Sequence, residues 1–218
     1  MNHSNHRGEG AGGDGDAITQ ALRNALSDPA PDPPDIADAV LAAGLLDVAY
    51  ATLHSPIGTL LLASTERGLA RLAYLDGDSE DAVLEDVAAR LSPRVLLAPR
   101  RLDGPRRELD EYFAGRRHAF DVALDMTLMS EFTRRVLVAT AAIPYGSVST
   151  YRDVAGAAGS PRGSRAAGNA LGANPIPIVI PCHRVLHSSG GLGGYTGGLE
   201  RKRTLLGIER GQLSLTRG

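Results

Sequence analysis

Cysteine is nearly absent from this chain of 218 residues: Cys182 is the only one, and tryptophan is missing altogether. A lone thiol cannot close an internal disulfide and excludes zinc sites built on two or four cysteines, so a reducing compartment, the cytoplasm, is expected. Long apolar runs are missing too. No stretch approaches the roughly eighteen residues of a membrane span. The opening "MNHSNHRGEGAGGDGDA" has no apolar core behind basic residues, so a soluble protein that is not exported is expected. With 43% hydrophobic residues there is still ample apolar surface for a core.

Charge is scarce in total but unevenly spread. Residues 1–126 hold 12 basic and 21 acidic side chains, net -9, whereas residues 127–218 hold 11 and 4, net +7. In that second part Arg almost excludes Lys. A basic region beside an acidic one points to a polyanionic partner for one half only, although a solvated basic face would carry the same charges.

Three regions follow. Residues 1–45 read as an acidic, mostly disordered extension, stiffened by "PDPPD" and interrupted by one amphipathic patch at Ile18, Leu22 and Leu26. Residues 46–126 read as an α+β domain. There "VAYATL", "GTLLLAS" and "LARLAYL" are β-prone runs parted by turns, an antiparallel meander. Two helices follow, over 79–91 and 107–115. Residues 127–218 read as mostly helical: Ser130 caps a helix to Ile143, Thr150 and Asp153 form a variant capping box, Gly159 stops the next helix and Ser160-Pro161 starts another. Helix, tight turn and small-residue helix outline a helix-turn-helix. The last of these is bare, with Ala166, Ala167, Gly168, Ala170 and Gly172, and Arg165 stands near its start. Such a surface suits tight packing inside a domain, or a narrow DNA groove.

Cys182 ends the proline-stiffened run "PIPIVIP". A lone cysteine is commonly a small buried hydrophobe. Here "CHRVL" could begin a short helix whose N-terminus favours thiolate. Adjacent side chains point in different directions, so His183 would reach the thiol through a water. The glycine-rich "SSGGLGGYTGG" could return to wrap a planar ligand. Nothing in the spacing brings Glu209 near His183, and His187 has no company.

"PCHRV", with "NPIPIVI" before it and "GYTGGLERKRTLLGIE" after it, resembles the O6-alkylguanine-DNA alkyltransferases, also called methylated-DNA-protein-cysteine methyltransferases. The resemblance covers roughly residues 50–210 and is most specific from Ile143 to Glu209. "SPIGTLLLASTERGLARLAYL" is more loosely similar to the family's ribonuclease-H-like domain. The resemblance implies a DNA repair protein that flips O6-alkylguanine, with O4-alkylthymine as a secondary candidate, from the duplex and moves the alkyl group to Cys182 once per molecule. His183 would be the base acting through water, Glu209 would orient it, and Asn174 would brace the turn. Tyr151 would crowd the DNA backbone and protonate N3 of the purine. Arg165 would replace the extruded base in the stack, with Ala166, Ala167 and Gly168 entering the minor groove. The carbonyls of Cys182 and Val185 would accept from the guanine amino group, and the Thr196 N–H would reach O6. Pro177 and Tyr195 would line the alkyl pocket. No cofactor, metal or membrane is implied, and the free protein would be a monomer. Glu131 and Leu137 depart from the family, which often has Pro and an aromatic there. Two other readings fit some residues: a lesion binder without transfer, against which Cys182 speaks, and a Cys-His-Glu thiol hydrolase, which gives no reason for Arg165.

Overall fold

The computed structural model describes residues 46–75 and 79–211, together with 40, 43 and 44. Apart from residues 40, 43 and 44, the expected N-terminal extension lies outside the described residues, its amphipathic patch included.

Among the described residues from 46 onward, three strands come first: β1 (Val48–Ser55), β2 (Gly58–Thr65) and β3 (Gly68–Tyr74). They form the expected antiparallel meander, with Leu53 opposite Leu60 and Leu62 opposite Leu72. A fourth strand, β4 (Val95–Leu97), joins parallel to β1 and makes the sheet mixed, in the order β3-β2-β1-β4. "VLL" is too short to show a period, and only β1 supplies its partner. β2 is buried on both faces, which follows from alternation: Leu60 and Leu62 face the main core, while Leu61 and Ala63 face α1 (Glu80–Arg90). Val83 and Val87, one helical turn apart, close that second face. Ser79 caps α1 by accepting from the Ala82 N–H. α2 (Asp103–Phe113) starts four residues earlier than expected, after a single 3-10 turn, and buries Leu109, Tyr112 and Phe113.

The helical half opens with α3 (Glu131–Ala141), where Ser130 Oγ accepts from the Thr133 N–H as expected. A two-residue strand β5 (Ser149–Thr150) leads into α4 (Tyr151–Ala157). Thr150 accepts from the Asp153 N–H, and its hydroxyl donates to Asp153 Oδ2 at 2.7 Å. α5 (Ser164–Gly172) begins at Ser164 rather than at Ser160-Pro161, because residues 160–163 close a turn through Gly163 N to Ser160 O. β6 (Val185–Leu186) pairs parallel with β5, and α6 (Leu199–Glu209) ends the described chain. Leu60, Leu62, Leu72 and Tyr112 of the first half share one core with Val136, Ile176, Ile178 and Ile180 of the second. Truncating such a fully buried leucine to alanine costs about 2–5 kcal/mol.

Candidate functional site

Cys182 is presented by two tight turns in succession. Val179 N–H donates to Pro177 O, and Ile178 between them has φ 73°, the positive-φ γ-turn that a β-branched residue adopts only under strain. Cys182 N–H then donates to Ile180 O across Pro181, whose φ -81° and ψ 61° are those of the relaxed inverse turn. Asn174 staples the whole segment: its amide donates to Ile180 O at 2.9 Å and to Cys182 Sγ at 3.3 Å, while its Oδ1 accepts from Ile176 N–H at 3.0 Å. The structure thus places Asn174, expected to brace the turn, in contact with both the turn and the sulfur.

The thiol is not a resting thiolate. Cys182 to Arg184 form only one 3-10 turn, too short to supply a useful helix dipole. Burial pushes the thiol up to about 11, and the Asn174 hydrogen bond and the nearby Lys202 charge offset only part of that. At pH 7 roughly one molecule in ten thousand holds a thiolate, so attack needs a base. His183 is fully buried, and burial lowers its pKa, so it is neutral. Its Nε2 lies 2.8 Å from Glu209 Oε1. A carboxylate can only accept, which places the ring proton on Nε2 and leaves Nδ1 as an acceptor. That Nδ1 is buried without a hydrogen-bond partner. A buried acceptor left without a partner is where a bridging water belongs.

Glu209 holds its charge through convergence. Burial alone would raise its pKa, but hydrogen bonds from His183 and Arg184 bring it down to about 2. Arg184 forks onto both carboxylate oxygens, with Nη2 to Oε1 at 2.9 Å and Nε to Oε2 at 3.0 Å, and its Nη1 donates to Ile143 O. Gly146 N–H and the Tyr112 hydroxyl complete the set at 3.2 and 2.7 Å. Tyr112 comes from α2, so the sheet half supplies part of the site.

A cavity of about 660 Å³ opens onto the thiol. Cys182, Tyr151, Arg165, Gly168, Tyr195 and Thr196 stand on its wall. Tyr151 lies against Gly168 and under the glycine-rich loop, where a Cβ at Gly193 would meet its hydroxyl at 2.5 Å. Arg165 and Ala166 are exposed on α5. Ala167 is fully buried, so its expected DNA contact is corrected: about 100° of helix rotation from Ala166 turns it into the core. Pro177 and Val185 are also buried and lie outside the cavity wall. Pro177 is spent in the turn behind Cys182. Val185 O already accepts from Lys202 Nζ at 2.7 Å, although a carbonyl has a second lone pair to offer. Thr196 uses its hydroxyl to hold Gly172 O at 3.1 Å, tying the loop to the end of α5.

Four side chains went unassigned in the sequence. Tyr112 and the fork of Arg184 could not be placed before α2 and α6 were brought together. His187 stands on the cavity wall, 5.2 Å from the Tyr151 ring. Lys202, the chain's only lysine, is fully buried and donates to Val185 O, Leu192 O and Gly194 O, pinning the glycine-rich loop. Burial lowers its pKa to about 8. A single lysine among so many arginines was the signal available, since a compact ammonium fits three converging carbonyls where a planar fork does not.

A braced cysteine and an exposed arginine on a bare helix share one cavity, a buried His-Glu pair follows the cysteine in the chain, and together they define a DNA-binding protein that carries its own nucleophile. The comparisons with known proteins agree. Residues 131–211 match the family described as "6-O-methylguanine DNA methyltransferase, DNA binding domain", and residues 48–126 match its ribonuclease-like domain. The methylated-DNA–protein-cysteine methyltransferase of Mycolicibacterium paratuberculosis is 43% identical over 163 residues, 75% of this chain and 93% of that protein. The constitutive enzyme of Bacillus subtilis is 36% identical over 74% of this chain and 94% of its own. The crystal structure of Mycobacterium tuberculosis OGT in complex with DNA aligns with a TM-score of 0.66 at 38% identity, covering 77% of this chain and 96% of that one. This chain belongs to the 6-O-methylguanine DNA methyltransferase family.

Proposed function

We propose that this protein repairs DNA by taking the alkyl group of a flipped O6-alkylguanine onto Cys182, once per molecule. The observation that carries the reading is the shared cavity: the buried thiol and Arg165 stand on one wall, so a base extruded past the arginine arrives at the nucleophile. O6 of a stacked guanine is hidden, and flipping exposes it. The thiol proton passes through a water to His183 Nδ1, and the sulfur pair attacks the alkyl carbon. The C–O bond breaks, a thioether forms, and the electron pair leaves on the guanine. Burial keeps the Tyr151 phenol protonated, ready to give N3 the proton that neutralises the departing base. The proton held on His183 balances the one Tyr151 has given. A thioether has no hydrolytic exit, which distinguishes this protein from a thiol hydrolase. Cys182 as alkyl acceptor argues against a binder that lacks transfer.

The residues proposed to act are Cys182 as acceptor, His183 as base, Tyr151 as acid, and Glu209 and Asn174 as positioning residues. Arg165, Ala166 and Gly168 are proposed to meet the minor groove. Domains spanning 46–126 and 127–218, a monomeric free state and work in the cytoplasm accompany this reading. No described helix is long and apolar enough to cross a membrane. The test is intact mass after mixing with a duplex that carries one O6-methylguanine. A gain of one methyl on Cys182, saturating at one per protein and absent from Cys182→Ser, is expected. Tight binding with no gain would overturn the transfer.

A further inference from the structure

The sheet half reaches the wall of the cavity through Tyr74, the last residue of β3. Its hydroxyl lies 2.7 Å from that of Tyr195, and the two rings meet edge to face at 6.3 Å. Tyr195 in turn stands on the cavity wall with Cys182 and presents its ring at right angles to His183, 6.4 Å away. Burial raises the pKa of both hydroxyls, so the pair stays neutral.

Everything around Tyr74 holds it still. Arg201 stacks over its ring at 4.6 Å while donating to Ile57 O at 2.7 Å and to Gly197 O at 2.9 Å. A Cβ at Gly197 would come within 2.6 Å of the Tyr74 ring, so the loop is shaped around this side chain. Leu72 N–H donates to Pro175 O at 2.8 Å, fixing β3 to the segment that presents the cysteine. The nucleophile and the Tyr195 ring are therefore registered on the same strand.

We infer that Tyr74 is a positioning residue that limits the size of the alkyl group accepted, by anchoring Tyr195 against the space where the reacting carbon must lie. The inference rests on reading Cys182 as the alkyl acceptor. In-line displacement puts the alkyl carbon between Sγ and O6, so any larger substituent on that carbon presses on the wall beside the sulfur. An anchored ring resists, and a released ring can turn aside. A neutral hydrogen bond shifts such an equilibrium by roughly fivefold.

The experiment uses the full chain and two duplexes differing only in O6-methylguanine or O6-benzylguanine, with transfer rates to Cys182 followed by intact mass. Tyr74→Phe keeps the ring, its stacking on Arg201 and its volume, and loses only the hydroxyl. The expected result is a benzyl-to-methyl rate ratio raised about fivefold. Tyr195→Phe should raise it similarly, and the double variant should add nothing further. A ratio within twofold of the parent, a lowered ratio, or effects that add in the double variant would overturn the inference, since a merely structural role slows both substrates alike. A parent chain that takes up neither group would overturn the acceptor reading itself, and this inference with it.

Discussion

Replacing Glu209 by glutamine tests the buried network with little change of volume. The carboxylate accepts from Tyr112, His183, Arg184 and Gly146, and an amide offers one acceptor where the carboxylate offers two. Whichever way the amide turns, its NH2 faces other donors, and the Arg184 guanidinium, 5% exposed, loses its counter-charge. Breaking a buried ion pair from one side costs about 3–5 kcal/mol. For a folded region of this size that lowers Tm by about 6–20 °C. Chemistry should suffer separately. Without a carboxylate to hold Nε2–H, His183 no longer keeps Nδ1 aimed and basic, and loss of a positioned base costs about a hundredfold or more in rate. Intact-mass time courses under single-turnover conditions read the rate, and urea unfolding reads the stability. Adding Arg184→Met should restore part of the stability and none of the rate. Transfer within threefold of the parent in a folded Glu209→Gln protein would refute the proposed relay. Acid supplies a second arm. The Glu209 pKa is lowered from 4.5 to about 2, so its stabilisation is full above pH 4.5 and is lost as pH falls through 2. The deficit of the variant should shrink over that window, by about 3 kcal/mol.

Two further outcomes are expected. Transfer should be flat from pH 6.5 up to the Lys202 titration at about 8 and decline below pH 6.5, because acid must first protonate Nδ1 of a histidine whose pKa burial has lowered; an acid-side midpoint above pH 7 in the rate profile would contradict His183 as the base. Arg165→Ala should slow transfer from duplex DNA about tenfold or more, given an unstacking cost of a few kcal/mol, and should slow reaction with free O6-benzylguanine far less; equal losses on the two substrates would contradict a role in flipping.

Local signals carried much of the fold. β-prone runs and the turn residues between them marked β1 to β3, because turn chemistry acts within a few residues. Ser130 and Thr150 marked helix starts, because a capping hydroxyl acts within three residues. The chemistry-bearing segment was equally legible: one cysteine after three prolines, a bare helix led by Arg165, and a motif order that resembles a known family. What the sequence could not rank was competition between burial and local dipole at Cys182. The short turn suggested a thiolate, but desolvation, which depends on the packing of distant residues, keeps the thiol protonated.

The sequence by itself determined the nucleophile, its stiff presentation and the charge division between halves, because these are properties of neighbours along the chain. Only tertiary structure decided that Glu209 meets His183, that Tyr112 and Arg184 join them, and that Lys202 pins the loop. It also decided that Ala167 faces inward and that Tyr74 reaches Tyr195. Each of those contacts joins segments whose meeting depends on how the sheet and helices share one core, and no periodicity within a single segment encodes that.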